Sequence, residues 1–311
     1  GCGIKSFWLT KQPSFFKCDL KAGEDFYSEK DFICRKVTDR VQKVPRYSYQ
    51  RCFSEIYRMY SPRDDYSAFP IMQIEPSGDV QLLRSLTLNP HLTKHCKFDI
   101  ISEGNVSINL EGKPWRDRAH YNVGKELDGF EIHEWEEAAC DDVSKFCYDE
   151  EGSEGKCIIY DFGRAITGFL GIKASARGDC TIYLIFDELL WDEEKKGKNN
   201  VSFYRGTCNN VLKWTLKDNY YDVFSFEPYT ARYVKIVMFG DVQLTPYIID
   251  YQNPETDRFF YKTEDEEVNQ ILAAAVHTFE QNAVDLLIDC PSRERAGWLS
   301  DSWFSSVSEL L

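Results

Sequence analysis

The chain has 311 residues and a formal net charge of -14, from 51 acidic and 37 basic side chains. That length allows two or three domains with hydrophobic cores, and a hydrophobic content of 43% is typical of a soluble globular protein. The acidity argues against nucleic acid as a partner, because no basic stripe is present to neutralise phosphates, and no apolar stretch is long enough to be an integral membrane segment.

Residues 1–130 contain short β-like runs between turn residues, such as AFPIMQI, VQLLRSLTL and NVSINL. This pattern predicts an N-terminal β accessory domain. Cys2 stands near the start of the chain. It is compatible with the lipid-bearing cysteine of a bacterial lipoprotein and equally with an ordinary thiol, so both interpretations stay open.

Residues 131–255 are predicted to form an antiparallel β-sandwich. Segments rich in β-forming residues, such as KCIIYDFG, DCTIYLIFDELL and ARYVKIVMF, are separated by Gly, Asp and Asn turns. This spacing is typical of two packed sheets. An aromatic content of 15% suits β structure, and it also suits surfaces that stack on sugar rings.

The eleven cysteines include no Cys-x-x-Cys pair and the five histidines are scattered, so we expect no metal site and no cofactor. Cys157 and Cys180 lie inside apolar strand-like runs, which favours small buried side chains over metal ligands. A disulfide between Cys140 and Cys147 is compatible with the sequence, but the sequence does not decide it.

Residues 256–311 change to helical patterning. Thr263 and Glu266 form a candidate capping box, and two apolar sets then recur at helical spacing. The first set is Val268, Ile271, Leu272, Ala275, Val276 and Phe279, and the second is Leu299, Trp303, Val307 and Leu310. We expect two antiparallel helices joined by a loop at 289–298. Because only the sandwich is present to cover their apolar faces, we expect the chain to be incomplete.

The loop between these helices is rich in charge. Pro291 and Gly297 interrupt the helical pattern there, and the loop and its exit contain Asp289, Arg293, Glu294, Arg295, Trp298 and Asp301. Paired carboxylates beside an aromatic platform are what glycosidic cleavage needs, since one acid protonates the leaving oxygen and others stabilise the oxocarbenium charge. On spacing alone, a salt-bridged turn between two helices explains the same residues.

The segment DCPSRERAGWLSD closely resembles the signature of the α-L-rhamnosidases, which are six-hairpin glycosidases of glycoside hydrolase family 78. The runs YDFGRAITGFLGIKASARGDCTIYLIFDELL and FEPYTARYVKIVMFG resemble the β-sandwich that precedes the barrel in these enzymes. The resemblance implies a multidomain protein, in which all-β sandwich domains are followed by the first helices of an (α/α)6 barrel over residues 256–311.

The resemblance also implies roles for the residues of the loop. Glu294 takes the position of the general acid. Asp289 and Asp301 fall where the family holds sugar hydroxyls and stabilises positive charge. Trp298 falls where a tryptophan lines the substrate pocket, and Arg293 falls where it would orient the acids or a sugar hydroxyl.

The sequence departs from the family pattern in two ways. Many relatives carry two acids in a row before the second arginine, whereas Glu294 stands alone between Arg293 and Arg295. Two close cations oppose protonation of an acid unless other carboxylates offset them. The general base of the family lies further downstream, on a part of the barrel that this sequence lacks.

The function implied by the resemblance is inverting cleavage of terminal α-L-rhamnosides from plant or bacterial polysaccharide, so the expected partner is an oligosaccharide or polysaccharide substrate. Two alternatives stay open: a non-catalytic carbohydrate-binding β-sandwich protein, and a six-hairpin glycosidase of other sugar specificity. A polysaccharide substrate and the lack of basic patches favour a periplasmic or cell-surface location. The sequence determines neither the sugar and its linkage nor the oligomeric state.

Overall fold

The structure is a computed structural model that describes residues 20–22, 25–27, 39–40, 47, 54–59, 94–107, 154–192, 199–201, 204–205, 208–251, 261–283 and 287–309. The strands in these ranges are β1 (Leu20–Ala22), β2 (Asp25–Tyr27), β3 (Glu55–Arg58), β4 (Lys94–His95), β5 (Asp99–Ser107), β6 (Glu154–Asp187), β7 (Trp191–Asp192), β8 (Asn199–Asn200), β9 (Tyr204–Arg205), β10 (Cys208–Asn209), β11 (Val211–Leu216), β12 (Asn219–Phe224) and β13 (Tyr229–Asp250). The helices are α1 (Glu266–Asn282) and α2 (Leu299–Glu309).

The two longest strands, β6 and β13, organise one central sheet. Its strand order is β3-β11-β6-β13-β4, and β5 and β12 also pair with β6. β6 turns back at Gly163 and Gly178, whose φ values of 82° and 73° are readily adopted by glycine. As a result, Val234 of β13 lies between two stretches of β6, opposite Tyr160 on one side and Phe186 on the other.

Residue numbers run in opposite directions within each paired stretch of β6 and β13. Val234 lies opposite Phe186, and Met238 lies opposite Ile182. β11 and β12 also pair with β6 in the antiparallel sense, whereas β3 adds to β11 in the parallel sense. The long strands therefore bend over themselves and bring distant stretches of the sheet face to face.

The main core lies between the layers of this bent sheet. Ile182 and Leu184 of β6 share one hydrophobic cluster with Leu170 and Ile172 from an earlier stretch of the same strand, and all four are fully buried. Trp214 of β11 belongs to the same cluster and is 0% exposed. Burying one leucine or isoleucine side chain contributes about 1.5–3 kcal/mol to the stability of the fold.

A second cluster covers the opposite face of the same β6 stretch. It contains Tyr183 and Ile185, which alternate with the residues of the main core, together with Val201 and Val237. A strand that is buried on both faces needs a continuous apolar run. The run TIYLIF, which has no polar alternation after its first residue, satisfies this requirement.

The prediction of a β-rich region is confirmed for the described part of residues 131–250, which begins at residue 154. β3, β4 and β5, from the first 107 residues, join the same central sheet. The runs AFPIMQI and VQLLRSLTL lie outside the described residues, as does the predicted domain boundary at residue 130, so the division into domains stays a prediction.

The described cysteines carry free thiols: Cys96, Cys157, Cys180, Cys208 and Cys290. Cys180 is buried, as its apolar run predicts, and Cys157 is half-buried. Burial raises the pKa of both of these thiols, which keeps them protonated and weakly nucleophilic. The question of a disulfide between residues 140 and 147 falls outside the described residues.

Both predicted helices are present, but the predicted capping box is wrong. α1 begins two residues later than a cap at Thr263 requires, because Asp265 is the N-cap and its carboxylate accepts from the amides of Glu267 and Val268. The Thr263 hydroxyl instead donates to the Asp265 carbonyl over 2.9 Å. Asp and Thr are both good caps, and the pattern of acids alone did not distinguish them.

α1 meets the sheet through polar side chains. The Nε2 atom of His277 lies 2.8 Å from the carbonyl oxygen of Ala165, and the Gln281 side-chain oxygen accepts the amide of Thr167. Ile271, on the predicted apolar face, is 63% exposed. The sheet therefore does not cover this part of the apolar face, and the residue that orients α1 is a histidine to which the sequence pattern assigned no role.

The close approach of β6 and β13 at Gly168 generates a prediction. A Cβ atom at this position would lie 2.0 Å from the carbonyl oxygen of Ile249, a backbone atom that cannot turn away. We expect Gly168→Ala to lower the free energy of unfolding by about 3 kcal/mol, or to prevent folding, as measured by urea denaturation.

The matched control is Gly104→Ala on β5, where an added Cβ meets nothing within 4 Å. Its free energy of unfolding should change by less than about 1 kcal/mol. Equal unfolding midpoints for the two variants would show that the strands do not approach as closely as described.

Candidate functional site

Asp289 closes the charged loop. Its amide donates to the carbonyl of Ala296 over 3.1 Å, and its Oδ1 atom accepts the amide of Ala296 over 2.9 Å. A pair of reciprocal hydrogen bonds between one residue and another seven positions later holds the loop as a compact turn. The carboxylate of Asp289 therefore has a structural task in addition to its predicted role.

Glu294 is held by two donors from its own loop. The indole Nε1 of Trp298 donates to Oε2 over 2.9 Å, and the guanidinium of Arg293 donates to Oε1. The Glu294 side chain is 14% exposed, whereas that of Arg293 is 50% exposed. The two contacts fix the plane of a carboxyl group that is mostly shielded from water but lies beside an exposed cation and a half-exposed indole.

Arg295 has an unusual backbone conformation and a contact with the sheet. Its φ of 47° is the one positive value among the non-glycine residues of the described ranges. Its Nη1 atom donates to the carbonyl oxygen of Pro228, in the turn that precedes β13. A left-handed conformation at a residue with a Cβ carries a cost, so surrounding contacts must enforce it.

The backbone of the loop docks on the sheet through its carbonyl groups. The hydroxyl of Thr230, on β13, donates to the carbonyl of Pro291 over 3.0 Å. The phenol oxygen of Tyr47 lies 3.0 Å from the carbonyl oxygen of Ser292 and 2.8 Å from Oδ1 of Asn210, so its one proton is shared between these two acceptors. These contacts fix the turn at 291–294 from residues that are distant in the sequence.

A buried pair of hydroxyls joins this docking point to α1. Thr230 Oγ1 lies 2.7 Å from Thr167 Oγ1. The same Thr167 Oγ1 atom lies 3.3 Å from the carbonyl oxygen of Gln281. Each hydroxyl has one proton to donate. Since Thr230 donates its proton to the Pro291 carbonyl, Thr167 is the donor in the hydroxyl pair. The end of α1 and the start of the loop are thereby held at one point on the sheet.

Two thiols contribute to the loop. The amide of Glu294 donates to the sulfur of Cys290 over 3.2 Å, which closes the turn at its base. The thiol of Cys208, on β10, lies 4.0 Å from the carbonyl of Arg293, at the limit of a sulfur hydrogen bond. Both thiols therefore pack against backbone polar groups of the loop, in addition to filling space.

Asp301 stands in the first turn of α2, where the helix dipole favours a negative charge. Its carboxylate is exposed and accepts the hydroxyl of Ser300 over 3.3 Å. This placement leaves the carboxylate exposed to solvent at the exit of the loop, and its role in binding sugar stays a prediction.

Of the predicted site residues, the structure joins Arg293, Glu294 and Trp298 by direct hydrogen bonds. Asp289 and Asp301 lie at the two ends of the loop, and the catalytic roles of all five stay predictions. Sequence reasoning missed the residues elsewhere in the chain that support the loop: Tyr47, Thr167, Cys208, Pro228 and Thr230. Thr230 and Pro228 lie in FEPYTARY, a segment that the sequence assigns to the sandwich but not to the site.

A separate groove of about 570 Å³ lies along α1, away from the loop residues; its lining includes Arg164, Tyr261, Lys262, His277 and Glu280. Within the described ranges, no group of three or more His, Cys, Asp or Glu side chains is placed to hold a metal ion. Neither described helix is long and apolar enough to cross a membrane.

A carboxyl group fixed between a cation and an indole, on a loop between two helices, defines a candidate site for carbohydrate cleavage. Residues 256–310, which contain the loop and both flanking helices, match the family described as the bacterial alpha-L-rhamnosidase 6 hairpin glycosidase domain. The resemblance predicted from DCPSRERAGWLSD is thereby confirmed, and this segment is glycosidase-like.

Similar solved structures include the GH78 family rhamnosidase of Bacillus sp. GL1, which is 20% identical with a TM-score of 0.44 and covers 49% of this chain and 16% of its own. The α-L-rhamnosidase from Dictyoglumus thermophilum is 23% identical with a TM-score of 0.41 and covers 50% of this chain and 18% of its own. The chain therefore spans less than a fifth of the length of these two enzymes. No curated protein matches the chain.

The docking of the loop on β13 generates a second prediction. Thr230→Val keeps the shape of the side chain but removes the donor to Pro291, which leaves a carbonyl without that partner. We expect the free energy of unfolding to fall by about 1–3 kcal/mol. Amide hydrogen exchange at 289–298 should become faster, because the loop loses an anchor.

Thr245→Val is the matched control, since Thr245 lies on the same strand with its side chain exposed. It should change the free energy of unfolding by no more than about 0.5 kcal/mol and leave exchange in the loop unchanged. If both variants behave alike, the Thr230 hydroxyl does not anchor the loop.

Proposed function

We propose that the protein is an inverting glycoside hydrolase that cleaves terminal α-L-rhamnosides from plant or bacterial polysaccharide, with Glu294 as the general acid. The observation that carries this proposal is the family match over residues 256–310, which includes the whole carboxylate loop. The same match supports the assignment of the two helices to the beginning of an (α/α)6 barrel.

The environment of Glu294 is suited to proton transfer to a leaving oxygen. General acids must be held within hydrogen-bond reach of the reacting atom, and the contacts from Trp298 and Arg293 restrict the rotation of the carboxyl group. The indole is 49% exposed, which leaves part of its surface able to contact a sugar. In this proposal Asp289 and Asp301 stabilise the charge that develops on the sugar ring.

Arg293 and Arg295 divide their tasks in this proposal. Arg293 contacts the acid, whereas Arg295 donates Nη1 to the Pro228 carbonyl and so serves the backbone of the loop. Because the chain spans less than a fifth of the length of the two rhamnosidases it resembles, activity is to be measured on the full-length protein.

The acid role of Glu294 predicts a dependence on the leaving group. Glu294→Gln removes the proton donor, while the amide oxygen can still accept from Trp298 and the half-exposed Arg293 can turn to water. We expect kcat/KM to fall about a hundredfold or more on a natural rhamnoside and much less on an activated aryl rhamnoside. An acid helps a poor leaving group far more than a good one.

Three controls accompany this variant. Asp289→Asn and Asp301→Asn should slow both substrates alike, because charge at the sugar ring must be stabilised whichever group departs. Glu264→Gln, at an exposed carboxylate ahead of α1, should leave both rates unchanged. Equal slowing of the two substrates by Glu294→Gln would make Glu294 a binding residue, and no slowing would leave the loop with a structural role.

An aryl glycoside screen of the full-length protein tests the sugar. Turnover of another glycoside in preference to the rhamnoside would favour a six-hairpin glycosidase of different specificity. Binding of polysaccharide without turnover of any glycoside would favour the non-catalytic carbohydrate-binding protein.

We further propose a periplasmic or cell-surface location, on the basis of the acidic charge and the proposed polysaccharide substrate. Fractionation of cells that produce the full-length protein should place it in the periplasmic or surface fraction. Recovery in the cytoplasmic fraction alone would contradict this location, and the free thiols of the described cysteines make this comparison informative, because oxidising compartments favour disulfides.

A further inference from the structure

Glu55 is a carboxylate with no exposure to water, located on β3, far from the charged loop in sequence. Its Oε2 atom accepts the amide of Phe226 over 2.7 Å, and its Oε1 atom accepts the amide of Glu227 over 2.9 Å. Two phenols complete its surroundings, since Tyr229 donates to Oε1 over 2.9 Å and Tyr57 donates to Oε2.

This arrangement makes Glu55 the centre of the turn at 226–229. Burial, and after it the Glu55 carboxylate, raise the pKa of the Tyr57 phenol above its ordinary value, which keeps the phenol protonated as a donor. A buried carboxylate is costly to desolvate, and four donors compensate for the lost water. The turn cannot shift without leaving part of this charge unsatisfied.

The turn in question is the one that holds Arg295. The carbonyl of Pro228, between the two ends that Glu55 fixes, accepts the Nη1 donor of Arg295. Arg295 directly follows Glu294, and its φ of 47° determines the direction of the backbone after Glu294. A displacement of Pro228 would therefore be transmitted to the backbone of Glu294 through one covalent neighbour.

We propose that Glu55 is a positioning residue for Glu294 and acts through the 226–229 turn and the guanidinium of Arg295. This inference rests on the proposed function, since it assigns Glu294 the role of general acid. The hydrogen bonds of Glu55 go to Tyr57, Phe226, Glu227 and Tyr229 and not to the acid. Its contribution is to keep the acid within reach of the leaving oxygen, where a small displacement is costly to the rate.

The test uses the full-length protein with Glu55→Gln, Arg295→Lys and the double variant, each measured on a poor and a good leaving group. We expect each single variant to lower kcat/KM on the natural rhamnoside about tenfold, with little change on the activated aryl rhamnoside. The double variant should be no slower than the worse single variant, because both changes interrupt one path. Glu103→Gln, at an exposed carboxylate on β5, should match the wild-type protein.

Failure of the proposed function and failure of this inference have different outcomes. If Glu294→Gln shows no dependence on the leaving group, the proposed function fails first. If Glu294→Gln behaves as an acid variant, equal slowing of both substrates by Glu55→Gln overturns the positioning role. Multiplicative effects of Glu55→Gln and Arg295→Lys would overturn the shared path.

A second pair of variants applies if Glu55→Gln does not fold. Arg295→Gly and Arg295→Ala both remove the contact with Pro228, but glycine accepts the positive φ and alanine does not. We expect both to lose rate on the poor leaving group, with Arg295→Ala also less stable to urea. Wild-type kcat/KM for Arg295→Gly on the natural rhamnoside would overturn the proposal.

Discussion

The hydrogen bond between the hydroxyls of Thr167 and Thr230 is the contact on which the position of the candidate site depends. The two residues are direct cross-strand partners on β6 and β13, and both are buried. The Thr230 hydroxyl donates to the Pro291 carbonyl at the start of the loop. The Thr167 amide donates to the side-chain oxygen of Gln281 at the end of α1. The register of two strands in the sheet thus sets the distance between α1 and the charged loop, which both follow later in the chain.

This dependence makes the sheet register part of the site. A slip of β13 by one residue would turn the Thr230 hydroxyl to the opposite face of the sheet, and the loop would lose this anchor and its link to α1 through Thr167. Gly168 protects the register at this point, because any larger residue would collide with the backbone of Ile249. The packing of the neighbouring Ile248 in the core reinforces the same alignment, since its side chain is fully buried.

The parts of the structure that depend on local patterns could be predicted from the sequence, and those that depend on long-range contacts could not. Apolar spacing located α1, α2 and the β-rich region, and the motif located the charged loop. The cap of α1 was misplaced by two residues because Thr263 and Asp265 are both suitable caps. The supports of the loop were missed because Tyr47 and Ser292 are 245 positions apart, and only the folded sheet brings them together.

In the charged loop the backbone carbonyls make supporting contacts and the side chains form the candidate site. This division explains why charged residues are tolerated beside apolar runs. Three successive carbonyls, at Pro291, Ser292 and Arg293, face Thr230 of β13, Tyr47 and Cys208 of β10, and a carbonyl can accept whatever side chain its residue bears. The supporting contacts of Pro291, Ser292 and Arg293 therefore do not depend on which side chains these residues bear, and in the proposed function Glu294 acts as the general acid. Arg295 is the exception, because its side chain donates to the Pro228 carbonyl while its backbone adopts a φ of 47°, a conformation that the surrounding contacts must enforce.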